Sequence, residues 1–119
     1  MDRALKDRVV FDGFSADVAS WFRSIGFILS SSEFESFHLA PAEGMASGAV
    51  PVFWEREGVQ EVFGRYADQA SLCENTKRIL ELREASDFEV ASNRSRDFAQ
   101  QWDVSAVLPQ WHTLFSELS

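Results

Sequence analysis

The chain has 119 residues, 45% hydrophobic and 25% charged, with a formal net charge of -8. That length sets a ceiling of one domain with an ordinary core, and the composition is that of a globular chain, not a disordered one. The excess of acid argues against a nucleic-acid surface, which needs a basic stripe, and neither a membrane-length apolar run nor a basic-then-apolar leader is present.

Arg8-Val9-Val10-Phe11-Asp12 is β-branched and aromatic and stops at Gly13, as a buried strand does. Ser15 is placed to cap a helix in which Val18, Trp21, Phe22 and Ile25 recur at helical spacing. Gly26 should end it and open a second strand, Phe27–Ser30. A loop to His38 leads into a short helix with Pro41 in its first turn, weakened by Gly44 and closed by a left-handed Gly48. Val50 to Trp54 reads as a third strand, with Pro51 at the strand's start or at a position that needs no ladder donor. Strands separated by helices predict parallel pairing.

Beyond Trp54 the pattern turns helical. Glu55-Arg56-Glu57-Gly58 forms a turn, and 68–85 and 87–101 read as amphipathic helices. In the first of these, the single cysteine, Cys73, reads as a small buried thiol. Having no second cysteine to pair with, it fits a reducing cytoplasm. The last segment aligns Val104, Val107, Leu108, Trp111, Phe115 and Leu118 as a stripe to be buried, with Pro109 expected to kink or restart the helix.

Chemistry concentrates in the loop between the second and third strands. In open parallel sheets ligands bind beyond the carboxyl ends of the strands, and the unpaired N–H groups of the helix entered there favour a diphosphate. Seven residues separate Glu35 from Glu43, and Gly44-Met-Ala-Ser-Gly48-Ala-Val-Pro51-Val52 follows. This composite resembles the Glu-x7-Glu donor-site signature of retaining glycosyltransferases of family 4 (group 1), which have the GT-B fold. Glu33 offers a competing register with no partner at that spacing.

The resemblance implies an α/β fold, a Rossmann-like parallel sheet with flanking helices and a helical C-terminus, over residues 1–119 as a partial C-terminal GT-B domain. It is sharpest over 27–64. It implies a donor-binding fragment of an enzyme that transfers a glycosyl group from a nucleotide-diphosphate sugar to an acceptor. Glu35 would face the transferred sugar, where a carboxylate supports developing positive charge, and Glu43 would accept hydrogen bonds from the ribose hydroxyls. Ser36, Phe37, His38 and Leu39 would border the diphosphate, with His38 standing where the family has glycine. Gly58 and Glu61 would border the sugar pocket.

No metal is implied. The chain lacks Asp-x-Asp, its His and Cys residues are too scattered for zinc, and the family holds its diphosphate with protein donors. The nucleotide sugar is substrate, so no cofactor is implied either. The family's acceptor-binding N-terminal domain is expected as a missing partner, together with the units that supply the diphosphate-gripping cations. Arg56 and Arg65 are substitutes by proximity alone, each more readily read as a solvated surface charge. If the usual strand order holds, two absent strands separate the Val9 and Phe27 strands by roughly 14 Å. The isolated chain is then expected to be marginal, to dimerise through exposed strands, or to pair those two strands directly. The resemblance further implies a cytoplasmic setting, with peripheral contact to the inner membrane face through the parent protein during polysaccharide or glycolipid assembly. The alternative is a non-catalytic, truncated nucleotide-binding or protein-interaction module. A small doubly wound signalling domain shares the alternation of elements but leaves the Glu-x7-Glu composite unexplained.

Overall fold

The computed structural model describes residues 5–54, 56–67 and 72–118. It is mixed α/β and mostly helical, built around a small parallel sheet. In chain order it contains α1 (Val18–Arg23), β1 (Phe27–Ser30), α2 (Leu39–Ala46), β2 (Val50–Phe53), α3 (Val59–Phe63) and a 3-10 turn, Gly64–Ala67. Then follow α4 (Leu72–Glu81), α5 (Ala85–Ala99), a second 3-10 turn, Gln100–Trp102, and α6 (Val104–Glu117). The expected helix over 68–85 is seen only as α4, and its residues 68–71 lie outside the described residues.

β1 and β2 pair in parallel, with Phe27 opposite Val50 and Ser30 opposite Phe53. Val50 N–H donates to the Gly26 carbonyl and Trp54 N–H to that of Ser30, each at 2.9 Å. Alternation along a parallel strand therefore turns the backbone of Pro51 and Phe53 to the far edge. There proline has no donor to leave unmet, and the Phe53 carbonyl accepts from Asn75 Nδ2 at 3.0 Å. All four residues of β2 are buried.

α2 ends in a Schellman turn. Ala49 N–H reaches Gly44 O and Gly48 N–H reaches Met45 O, both at 2.9 Å, and Gly48 takes φ 99°. A Cβ at Gly48 would meet only the tip of the exposed Arg96 side chain, which can move aside, so it is the left-handed backbone that calls for glycine there. Gly44 also has a packing reason. A Cβ there would stand 3.0 Å from Ile28 Cδ1, which shows how closely α2 lies on β1.

α5 closes the other side through small polar residues. Ser92 Oγ donates to Gly48 O and Ser95 Oγ to Ala49 O, each at 2.7 Å. These bonds answer carbonyls that would otherwise be buried without donors. The core itself is aromatic. Phe53 and Phe63 lie 4.5 Å apart by ring centroid, and Trp102 meets Phe37, Phe63 and Phe98 edge-on at 5.2, 5.3 and 5.5 Å.

Several expectations need correction. Arg8–Asp12 is not a strand: Val10 and Phe11 are 78% and 86% exposed, and without a ladder partner among the described residues a β-prone run stays irregular. The direct pairing of the Val9 and Phe27 segments does not occur, and among the described residues the sheet has two strands. Asp17, not Ser15, caps α1, accepting from Ser20 N–H at 3.0 Å. That helix ends at Ser24 before reaching Gly26. Trp54 lies just past β2.

Cys73 is exposed. The inward face of α4 carries Asn75, Arg78 and Ile79 instead, out of phase with the cysteine. α6 runs unbroken through Pro109, so the helix does not restart there, and none of its residues is buried. Its apolar stripe lies open because α6 leaves the body after Trp102, packing on the turn it follows. The molecule accordingly measures 62 × 33 × 32 Å.

Candidate functional site

Parallel pairing brings the ends of β1 and β2 together beside the start of α2. Ser30, the last residue of β1, is buried, and its Oγ lies 3.1 Å from His38 Nδ1. Arg56, two residues past Trp54, brings Nη2 to 3.2 Å from the same Nδ1. On the other side of the ring, His38 Nε2 is 3.5 Å from Glu35 Oε1.

His38 is also the N-cap of α2, at φ 66° and ψ 73° with no side-chain cap bond. It is the sole non-glycine residue with positive φ among the described residues, in a conformation that costs an L-residue about 1–2 kcal/mol. The tertiary contacts of its ring hold it there. The His38 side chain therefore gives no cap to the first N–H groups of α2, at Leu39 and Ala40, beside the strand ends.

The tautomer follows from the neighbours. Arginine only donates, so Nδ1 must accept and the proton sits on Nε2, toward Glu35. Burial pushes the His38 pKa below the ordinary histidine value. Glu35 pulls it back up, and Arg56 adds to the depression. Glu35 stands beyond firm hydrogen-bond distance, so desolvation wins and the imidazole is neutral near pH 7. Because Arg56 occupies the Nδ1 lone pair, His38 is not free to take a proton from Ser30. Ser30, His38 and Glu35 thus resemble a nucleophile triad in residue type but not in function.

Glu43 sits elsewhere. Exposed on α2, it joins Leu39, Ala42 and Ala46 as one wall of a cavity of about 840 Å³, whose other walls are the end of α5 and the start of α6. Arg96 and Asp103 also line it. Glu35 does not, so the two glutamates face different surroundings, one the strand-end cluster and one the cavity. Leu39 is 64% exposed and links the two as the neighbour of His38. Ser36 is exposed in the loop.

Phe37 turns inward, its ring 6.3 Å from Phe63 and 5.2 Å from Trp102. Gly58 is the left-handed N-cap of α3, with open space where a Cβ would lie, and Glu61 is exposed in that helix's first turn. His112 is exposed on α6. Among the described residues no three metal-binding side chains converge, and no helix is long and apolar enough to cross a membrane.

The sequence reading missed Arg56 as a partner of His38. Its one signal was its place just beyond a strand end. It is half-buried rather than a solvated charge, and its Nε is buried without a hydrogen-bond partner. Compared with protein-family models, curated proteins and solved structures, the chain matches none of them.

Proposed function

We propose that the chain is the donor-binding part of a retaining glycosyltransferase and holds a nucleoside diphosphate-sugar at the ends of β1 and β2. The carrying observation is the backbone of His38. The residue standing where the resembled motif has glycine adopts the left-handed conformation that glycine serves. A β-loop-α-β unit with parallel strands supports the same reading, since its strand ends and helix N-terminus suit a phosphate.

In this reading the N–H groups of Leu39 and Ala40 and the guanidinium of Arg56 meet the diphosphate, the Arg56 charge replacing the cations the family takes from earlier units. Glu43 holds the ribose, and Glu35 faces the sugar. Positioning and electrostatics supply the rate gain, with an acceptor domain completing the Rossmann-like GT-B enzyme. The cytoplasmic setting and the role in polysaccharide or glycolipid assembly belong to this proposal.

A second reading, a non-catalytic module, draws on the engagement of His38 Nδ1 by Ser30 and Arg56, which leaves a side chain where the donor would approach. Calorimetric titration of UDP, GDP and ADP separates the two. Donor binding predicts that one diphosphate binds and that Glu43→Ala and Arg56→Gln each weaken it about tenfold or more. Absence of binding by the folded chain would overturn it in favour of the module.

A further inference from the structure

A second polar hollow lies away from the strand ends. The 3-10 turn after α3 brings Arg65 and Tyr66, α4 brings Arg78 and Glu81 with Leu82 just after it, and α5 brings Arg94 to a cavity of about 280 Å³. The chain as a whole carries 11 basic side chains against 19 acidic ones, yet here three guanidiniums face one carboxylate. Three less one leaves two positive charges, a local reversal of the molecule's sign.

Two donors in this hollow lack acceptors. Tyr66 is 5% exposed, and its hydroxyl is buried with no hydrogen-bond partner. Arg78 Nη1 is in the same condition. The tyrosine cannot readily swing its hydroxyl to water, because its ring is held edge-on by Phe98 at 5.0 Å and covered by Arg65, whose Cζ lies 5.3 Å from the ring centroid. Burial lowers the Arg78 pKa, with Tyr66 opposing the shift, which places the two groups within electrostatic reach of each other. The guanidinium nevertheless stays charged. A buried phenol and a half-buried guanidinium, both on the wall of one hollow and each with an unpaired donor, carry an uncompensated desolvation cost until an acceptor arrives. Arg65 and Arg94, both exposed, flank the hollow and add charge without blocking it.

We propose that this cavity binds the phosphate group of a small phosphorylated ligand, at a site separate from the Ser30–His38–Arg56 cluster. A phosphomonoester dianion matches the two positive charges, and its oxygens supply the acceptors that Tyr66 and Arg78 lack. Tyr66 donates one hydrogen bond and Arg78 another, while Arg94 and Arg65 neutralise the remaining charge from the rim.

The test uses the full chain at low salt, with inorganic phosphate and then pyrophosphate followed by calorimetry and by amide chemical shifts. Binding is expected to weaken about tenfold or more in Arg78→Gln and in Arg94→Gln, several-fold in Tyr66→Phe, and not at all in Arg8→Gln, an exposed residue outside the hollow. Arg94 is exposed, so its variant keeps the test decisive even if the Arg78 variant fails to fold. No binding by the folded wild-type chain, or binding unchanged in Arg94→Gln and Tyr66→Phe, would overturn the proposal. So would an anion lost in Arg56→Gln alone, since it would then sit at the strand ends and speak for the donor site instead.

Discussion

α5 and α6 are consecutive helices of nearly equal length, 15 and 14 residues, and their fates are the reverse of their compositions. α5 is rich in charged and polar residues, yet it buries Ser92, Ser95 and Ala99 against α2 and β2. α6 carries valine, leucine, tryptophan and phenylalanine along one face and buries none of them. The difference lies in the surface each helix meets. The Schellman turn after α2 leaves the carbonyls of Gly48 and Ala49 facing α5, and small hydroxyl side chains both fit the close approach and answer those carbonyls. α6 meets no comparable surface, so its stripe stays open however strongly it is patterned. Amphipathicity says which face a helix would bury, and only a partner surface decides whether it does.

The largest test of this contrast is Ser95→Ala. It removes the donor to Ala49 O at a position with 0% exposure, leaves that carbonyl unanswered, and should lower unfolding stability by about 1–3 kcal/mol in denaturant titration. Loss of less than a few tenths would mean that the α5 interface rests on packing alone.

A smaller effect should come from pH, through the platform on which α5 rests. The folded His38 pKa lies below the ordinary value, mainly through burial, so the unfolded chain takes up the proton first as pH falls. Stability is therefore full above about 6.5 and is lost as pH drops from there toward the lower folded pKa. Hydrogen exchange should show α2 and α5 loosening over that window, with α6 unchanged. In His38→Gln this part of the pH profile should disappear, and a profile unaltered by the substitution would refute the assignment.

The smallest effect belongs to α6. Leu108 is 51% exposed, and Leu108→Ala should move stability by no more than about 0.5 kcal/mol. A larger loss in dilute solution, growing with protein concentration, would show that the stripe is covered by another copy of the chain.

The β1–α2–β2 unit was legible residue by residue. Phe27–Ser30 is an apolar, β-prone run, Pro41 falls in the first turn of α2, and Gly48 takes the left-handed turn that its place after a helix calls for. These features depend on neighbours a few residues away. Cys73 and the Arg8–Asp12 run were misread for the opposite reason. Helical phase leaves the thiol outward when Asn75 is drawn in by the Phe53 carbonyl, and a strand exists only when another lies beside it.

The candidate site divides in the same way. The glutamate spacing and the odd histidine at a glycine position were visible in the chain, whereas the contact between Arg56 and His38 spans 18 residues and forms only once β1 and β2 align. The gathering of Arg65, Arg78 and Arg94 around Tyr66 likewise needs three elements to meet. By itself the sequence determined local elements whose energy is settled within a few residues: the left-handed turn at Gly48, the helix entry at Pro41 and the strand propensity of β1 and β2. Tertiary structure alone decided which faces are covered, which nitrogen of His38 holds the proton, and where cations converge, because burial and charge pairing depend on groups that are distant along the chain and close only in space.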